Sequence, residues 1–177
     1  MSGAPKKLCF IGDSLIEYCN WQVNFPNHTV ANFGLSGETT RELRDRLGLV
    51  TSSTYCPDAV ILMVGTNDLL MGEDFLPSYE EIILTMQRAW PRAAVLANGL
   101  MPMALAWLPI NTITSVNSLM EELALRYKIG YLDGCRLLHN CEYSTCFLED
   151  GVHLSSHGYA IWCSAIGKYL QQIGCID

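Results

Sequence analysis

The sequence predicts an α/β fold in three layers, in which a mostly parallel, five-stranded β-sheet lies between two layers of helices. Its apolar runs are continuous, as is typical of strands covered on both faces in a parallel sheet. Segments with helical periodicity separate these runs, and this alternation predicts right-handed βαβ units. A length of 177 residues suits one domain with a sizeable core, and no repeat or linker divides it, so we expect residues 1–177 to form a single domain.

Five apolar runs are the predicted strands. Each is five or seven residues long, which is within the range expected for buried strands. In chain order they are residues 7–11, 29–33, 58–64, 93–99 and 129–133.

Capping boxes predict the starts of the first two helices. Thr39 and Glu42 have the required spacing, and Gly48 can end the helix that they begin. Ser78 and Glu81 repeat the pattern. Two further helices are predicted, one over residues 115–127 and one that begins near residue 155 or 156. The side chains expected to face inward in the third helix are Val116, Leu119, Met120, Leu123 and Tyr127.

Composition excludes several classes of function. The net charge of -7 repels phosphate backbones and no basic run offsets it, so nucleic acid is not an expected partner. No stretch approaches the roughly 18 apolar residues of a membrane span. The apolar run near the N-terminus is too short for a secretory signal, which predicts a cytoplasmic location.

Eight cysteines are scattered through the chain, mostly in apolar segments, and we expect them to be mainly reduced core residues. Cys135, Cys141 and Cys146 are the exception because they cluster. The cluster has no Cys-x-x-Cys pair, and His139 is its only imidazole nearby in sequence, so a metal site is not expected. A local disulfide between Cys141 and Cys146 is the favoured alternative.

Polar segments follow the first three predicted strands. They are Gly-Asp-Ser-Leu at 12–15, Gly-Leu-Ser-Gly-Glu at 34–38 and Gly-Thr-Asn-Asp at 65–68. A fourth, Glu-Asp-Gly-Val-His-Leu at 149–154, precedes the last helix. Ligands of such sheets bind beyond the carboxyl ends of the strands, so we expect all four segments to meet at one edge.

These segments supply each group that acyl transfer requires. Ser14 is the candidate nucleophile, His153 the base, and Asp150 the carboxylate that fixes the imidazole tautomer. The backbone N–H groups of Ser14 and Gly37 and the side-chain amide of Asn67 are the candidate oxyanion-hole donors.

The four segments, in this order, resemble the blocks that define the GDSL/SGNH hydrolase superfamily, and the resemblance covers nearly the whole chain. It implies a flavodoxin-like sheet, the roles just given for Ser14, Gly37, Asn67, Asp150 and His153, and no metal or organic cofactor. It also implies esterase, lipase or thioesterase activity on small substrates. The larger α/β-hydrolases are disfavoured, since the chain lacks their Gly-x-Ser-x-Gly elbow.

The apolar segment 100–109 follows the fourth strand and is unusual for a loop. It is suited to lining an acyl pocket, acting as a lid or forming a contact between two copies of the chain, while ordinary core packing is an equal alternative. The candidate pocket residues are Asp13, Tyr18, Trp21, Met101 and Trp107. Asp13, like Asp68, is also suited to holding its own loop through backbone hydrogen bonds.

The sequence therefore predicts a serine hydrolase that cleaves small, short-chain acyl esters through an acyl-enzyme on Ser14. Sugar acetates, acyl-thioesters and phospholipid acetyl groups are alternative substrates for the same chemistry. A catalytically inactive ligand-binding protein on this fold is the alternative of a different class. Nucleotide or flavin binding is disfavoured because no Gly-x-Gly-x-x-Gly or Walker sequence follows the first strand. His157 is expected to be a solvated histidine at a helix start.

Overall fold

A computed structural model describes residues 4–52 and 55–177. Five strands form one sheet in the order β2-β1-β3-β4-β5, and all neighbouring strands are parallel. The prediction of a five-stranded parallel sheet is confirmed, and every predicted run agrees with a strand to within one residue at each end. The strands are β1 (Lys7–Gly12), β2 (Thr29–Gly34), β3 (Ala59–Met63), β4 (Ala94–Asn98) and β5 (Gly130–Leu132).

Four long helices and five short ones connect the strands within the described residues. The long helices are α3 (Thr40–Thr51), α5 (Leu76–Ala89), α6 (Ile110–Tyr127) and α9 (Ser156–Gln172). The short ones are α1 (Ser14–Glu17), α2 (Trp21–Asn24), α4 (Thr66–Met71), α7 (Gly134–Leu137) and α8 (Tyr143–Cys146). Helix α5 packs beside both α3 and α6. Right-handed crossovers in this strand order place those three helices on one face of the sheet, and α1 and α2 on the other. Helix α9 lies on the face of α1 and α2, because its Trp162 packs against Trp21 of α2.

Aromatic packing holds α9 against the sheet. Trp21 stacks on Phe10 of β1 with ring centroids 4.0 Å apart, and Trp162 of α9 meets Trp21 edge-on at 5.2 Å. The indole N–H of Trp162 donates a 2.8 Å hydrogen bond to Oδ1 of the buried Asn98, so its one polar atom is satisfied. Aromatic pairs of this kind add about 0.5–1.5 kcal/mol each beyond the burial of their surface. The start of α9 is thereby fixed relative to the carboxyl end of β1.

The ends of α3 and α9 test the predicted caps. The capping box of Thr39 and Glu42 is present, and Ser155 caps α9 as predicted. Gly48, however, does not end α3, because the helix continues for three more residues to Thr51. A glycine costs an exposed helix only about 1 kcal/mol, which the burial of Val50 in the next turn offsets.

Helix α5 begins earlier than the sequence predicts. Its first residue is Leu76, and Pro77 occupies the first turn, where its missing N–H has no cost. Ser78 is therefore not the cap but lies inside the helix, where its hydroxyl accepts a 3.3 Å hydrogen bond from Arg44 of α3.

Helix α6 also begins earlier, at Ile110 directly after Pro109, and not at residue 115. The additional turn brings Ile113 into the core. Leu119, expected to face inward, is instead 44% exposed, whereas Asn117 is fully buried. Asn117 is satisfied there by hydrogen bonds to both backbone groups of Leu100. In the part of the chain that the structure describes, none of the helices has the length and apolar character needed to cross a membrane.

Candidate active site

Ser14 lies at the first turn after β1 and is only 8% exposed. The strand end that precedes it approaches β3 so closely that a Cβ atom at Gly12 would overlap the carbonyl oxygen of Met63, so only glycine fits there. Asp13 caps the short helix by accepting a 3.0 Å hydrogen bond from the N–H of Leu15. The Oγ atom of Ser14 lies 2.9 Å from Nε2 of His153, which is hydrogen-bonding distance.

The loop between α8 and α9 carries His153 and Asp150. Its base is closed by an antiparallel bridge between Phe147 and Leu154, and the N–H of Leu148 donates to the His153 carbonyl at 2.8 Å. The phenol of Tyr159 in α9 donates a 3.0 Å hydrogen bond to the Leu15 carbonyl, tying this region to α1. The loop is therefore held from both sides at the position where the imidazole meets Ser14.

Asp150 divides its two oxygens between the backbone and the imidazole. Oδ1 accepts hydrogen bonds from the N–H groups of Val152 and His153, both at 2.9 Å. Oδ2 lies 2.7 Å from Nδ1 of His153. Partial burial pushes the pKa of Asp150 upward, but these hydrogen bonds outweigh it and the pKa is lowered overall. Asp150 is therefore held as a carboxylate that accepts from Nδ1–H and leaves Nε2 free to accept from Ser14.

Each of the three candidate oxyanion-hole donors has a proton without a protein partner among the described residues. Among residues 4–52 and 55–177, the backbone N–H groups of Ser14 and Gly37 donate to no protein atom. Gly37 is exposed and has a φ of 78°, a backbone conformation that residues with a side chain rarely adopt. The amide of Asn67 donates one proton to the Glu38 carbonyl at 2.9 Å and has a second proton to offer. That bond connects the loop after β3 to the loop after β2.

Two buried contacts hold these loops, and sequence reasoning identified only one of them. Asp68, expected to hold its loop, accepts hydrogen bonds from the N–H and hydroxyl of Thr40, at 2.9 and 3.0 Å. Glu38 forms a buried ion pair with Arg46 of α3, which was not predicted. The guanidinium of Arg46 also donates to the Phe33 carbonyl at 2.8 Å, so it spans the loop on which Gly37 lies. A carboxylate directly after Gly37, followed by an arginine two helical turns later, was the available signal.

Asp13, the residue before Ser14, is not open to a substrate pocket, since its exposed fraction is 0%. Burial is the main reason why its pKa rises to about 7, and the hydrogen bond from Leu15, the neighbouring Thr66 hydroxyl and the His153 charge oppose the rise only in part. Among the described residues, Asp13 Oδ2 and Thr66 Oγ1 are buried without a hydrogen-bond partner. The predicted pocket role of Asp13 is corrected: it shapes the turn.

Of the other predicted pocket residues, two are near the surface and two belong to the core. The Tyr18 ring is exposed, lies 5.2 Å from the His153 ring and donates or accepts a 2.8 Å hydrogen bond with Ser36. Trp107 is also exposed. Trp21 and Met101 are each 1% exposed, so the structure places both side chains in the core and not at an open surface beside Ser14.

The apolar segment 100–109 is mostly packed into the protein. Leu100, Met103 and Leu108 are buried together with Met101. The N–H of Ala104 donates a 2.8 Å hydrogen bond to the carbonyl of Gly151, which lies in the loop between α8 and α9. Core packing therefore describes most of this segment, and its middle supports the loop that carries His153.

The cysteine cluster divides into a bonded pair and a separate thiol. Cys141 and Cys146 form a disulfide, as favoured by the sequence. Cys135 is free and buried, and its sulfur contacts the Leu100 carbonyl and the Asn117 amide. The nearby His139 bonds to Asn140.

Comparison with known proteins decides the family. The model of the GDSL-like lipase/acylhydrolase family matches residues 10–161, which include all four polar segments. The chain belongs to this family. Membership confirms the predicted resemblance and the prediction of a carboxylic ester hydrolase.

This GDSL-like protein is similar to a longer curated protein and to solved structures of about the same length. Platelet-activating factor acetylhydrolase IB subunit alpha2 of Homo sapiens is 26% identical over 177 residues, covering 93% of this chain and 76% of that protein. The lipase/acylhydrolase from Enterococcus faecalis superimposes with a TM-score of 0.78 at 17% identity, covering 97% of each chain. A catalytic mutant of Axe2, an acetylxylan esterase from Geobacillus stearothermophilus, gives a TM-score of 0.73 at 19% identity, covering 98% of this chain and 97% of that one. The two structures support the fold prediction.

Proposed function

We propose that this GDSL-like protein is a serine esterase that removes short acyl groups from small esters through an acyl-enzyme on Ser14. One observation carries the proposal: an unbroken chain of contacts runs from Ser14 Oγ through both nitrogens of His153 to Asp150, with steps of 2.9 and 2.7 Å. These distances are within the range required of a nucleophile, its base and the group that orients the base.

In the acylation step, Nε2 of His153 takes the hydroxyl proton of Ser14 as Oγ attacks the carbonyl carbon of the ester. The imidazolium that forms is stabilised by the Asp150 carboxylate, which keeps its own charge. When the tetrahedral intermediate collapses, His153 returns the proton to the departing alcohol. Water then attacks the acyl-enzyme by the same route and releases the acid.

The negative charge on the tetrahedral oxygen is assigned to three donors: the N–H groups of Ser14 and Gly37 and the second amide proton of Asn67. The two backbone donors have no protein partner in the described structure, so they need not break a bond to receive the oxyanion. Donors already oriented in this way typically lower the barrier by about 2.7–4 kcal/mol each.

Acetyl is the acyl group that we propose. The relative from Homo sapiens is by name an acetylhydrolase. Ser14 is itself only 8% exposed, and the two residues that follow it, Leu15 and Ile16, are buried in the core. Because core packing is dense, a small acyl group is accommodated at lower cost than a long one.

Hydrolysis of p-nitrophenyl acetate tests the proposal. The wild-type protein should turn this ester over, and Ser14→Ala should reduce kcat by about 10⁴-fold or more, since the remaining groups cannot form the acyl-enzyme. Ser164→Ala is the matched control, because Ser164 is an exposed serine on α9, and its rate should equal that of the wild type. Equal rates for wild type and Ser14→Ala would remove Ser14 from the mechanism.

A fluorophosphonate probe separates the enzyme from an inactive binding protein on the same fold. Labelling of Ser14, lost in Ser14→Ala and retained in Ser164→Ala, supports the enzyme. No labelling of the folded wild type supports the binding protein. A series of p-nitrophenyl esters of increasing chain length, run beside acetylated sugars and an acetyl-thioester, then identifies the substrate class.

A further inference from the structure

A second group of reactive side chains lies where the loop between α8 and α9 begins and ends. This loop, which carries Asp150 and His153, is called the catalytic loop below. Cys141 lies two residues before α8 and Cys146 is the last residue of that helix, and their Cα atoms are 6.1 Å apart. His157 lies in the first turn of α9. Its ring nitrogen and the two sulfur atoms all lie within 4.8 Å of one another. The imidazole near this pair is thus His157 and not His139, the residue that is closer in sequence.

The backbone fixes His157 relative to Cys146. The N–H of Ser155 donates a 2.9 Å hydrogen bond to the Cys146 carbonyl. The Ser155 hydroxyl caps α9 by accepting from the N–H groups of His157 and Gly158, both at 3.2 Å. A Cβ atom at Gly158 would overlap the same Cys146 carbonyl oxygen, so the first turn of α9 is in direct contact with the end of α8. These contacts fix the backbone of His157 next to Cys146, and so keep the imidazole within reach of the sulfur atoms.

The surroundings leave room for an additional ligand. A surface cavity of about 290 Å³ is lined by Cys141 and His157 and also by Glu142, Thr145 and Asn140. Cys146 is fully buried, Cys141 is half-buried and His157 is exposed. An ion can therefore reach Cys141 and His157 from solvent, with the buried sulfur of Cys146 directly behind them. A water molecule or the Glu142 carboxylate can complete its coordination.

Two thiolates and an imidazole are a donor set for zinc, which prefers sulfur and nitrogen ligands in tetrahedral geometry. The disulfide engages both sulfurs, so it and the metal exclude each other. Reduction by a dithiol reagent adds two electrons and two protons to the disulfide and gives two thiols, while the reagent becomes a disulfide. Binding of the metal then releases the two thiol protons.

We propose that, in the dithiol state, Cys141, Cys146 and His157 form a binding site for a thiophilic divalent cation of the zinc type. The site is separate from Ser14 and takes no part in acyl transfer. It stabilises the point where the catalytic loop begins and ends, because Cys146 directly precedes Phe147, which pairs with Leu154. In a reducing compartment, where disulfides do not persist, the metal replaces the covalent link.

Titration of the reduced protein with zinc, without oxygen and in competition with a chromophoric chelator, tests this site. One equivalent should bind per chain, and cobalt should give a sulfur-to-metal charge-transfer absorption. At free zinc about 100 times Kd, the melting temperature should rise by about 5–10 °C. Cys141→Ser and His157→Gln should each weaken binding by about 10-fold or more.

The controls are Cys56→Ser and His139→Gln, which remove an exposed thiol and an exposed imidazole outside the site and should bind zinc as the wild type does. Circular dichroism verifies that each variant is folded. The proposal is overturned if the reduced wild type binds no zinc, if the disulfide form binds it equally tightly, or if Cys141→Ser or His157→Gln binds like the controls.

Discussion

Asp13 and Asp150 show how the environment of single residues sets their charge. Asp150 is near the surface, and hydrogen bonds from His153 and Val152 overcome its partial burial and lower its pKa. Asp13 is completely buried, and this burial raises its pKa to about 7. Asp150 contacts His153, and Asp13 directly precedes Ser14 in the chain. Their different environments support an orienting role for Asp150 and a structural role for Asp13.

Replacement of Asp150 by asparagine should disable the imidazole without unfolding the loop. The asparagine has one acceptor oxygen where the wild type uses two, and its NH₂ group would donate to Nδ1 of His153. Donation to Nδ1 places the ring proton on Nε2, where it blocks acceptance of the Ser14 proton. We expect kcat for p-nitrophenyl acetate to fall by roughly 10²- to 10⁴-fold.

Glu149→Gln is the control for this substitution, because Glu149 is an exposed acidic neighbour in the same loop, and its kcat should be unchanged. If Asp150→Asn retained the wild-type kcat, Asp150 would not orient the base.

At the scale of secondary-structure elements, the ion pair between Glu38 and Arg46 joins α3 to the loop that carries Gly37. Glu38 is 3% exposed, so loss of its partner would leave a carboxylate buried without compensation. We expect Arg46→Met to lower the free energy of unfolding by about 3 kcal/mol, measured by urea denaturation. Since the Glu38 carbonyl also positions Asn67, kcat should fall by about 10-fold, roughly the equivalent of 1.4 kcal/mol.

Arg126→Met is the comparison for the ion pair, since Arg126 pairs with Glu80 at the surface with 61% of its side chain exposed. Its cost should be below about 1 kcal/mol. The double variant Glu38→Gln/Arg46→Met should recover part of the lost stability because it removes the unpaired charge. Equal costs for the two arginine variants would show that the buried pair does not hold the loop.

The elements also show what the sequence could predict. Continuous apolar runs identified β1, β3 and β4, because central parallel strands are buried on both faces. The edge strands β2 and β5 are only partly buried, but short runs in the alternation of strands and helices still identified them. The start of α5 was missed because the capping pattern at Ser78 is local, whereas Ser78 actually contacts Arg44 of α3. Pro77 was the better signal, as prolines favour the first helical turn.

The candidate site was predictable for a similar reason. Ser14, Gly37 and Asn67 follow strand ends, and parallel strands bring those ends to one edge. The pocket was less predictable, because closeness in sequence to the nucleophile does not specify direction. Trp21 faces the core because Trp162, far along the chain, packs against it. Such contacts follow from tertiary structure and not from a local pattern.

At the scale of the whole molecule, Asp13 should make stability depend on pH in an unusual direction. The ordinary pKa of an aspartate, 3.8, applies to the unfolded chain, whereas burial raises the pKa to about 7 in the folded protein. Between these values the folded protein keeps a proton that the unfolded chain has lost. Stability from this group therefore falls as pH rises from about 4 to about 7 and is constant above that, with a total loss of about 4 kcal/mol.

Asp13→Asn isolates this effect, because asparagine does not titrate and its oxygen can still accept from the N–H of Leu15. Urea unfolding of both proteins from about pH 4 to about pH 8 gives the difference in their stability, in which the contribution of Asp150 and of the net charge cancels. That difference should grow in favour of the variant by about 4 kcal/mol across the range. Glu73→Gln, at an exposed acidic position, should give a constant difference from the wild type. If the difference for Asp13→Asn were also constant, Asp13 would be charged in the folded protein across this pH range. Its Oδ2 atom, which has no hydrogen-bond partner among the described residues, would then need a compensating charge or a water molecule close to Ser14.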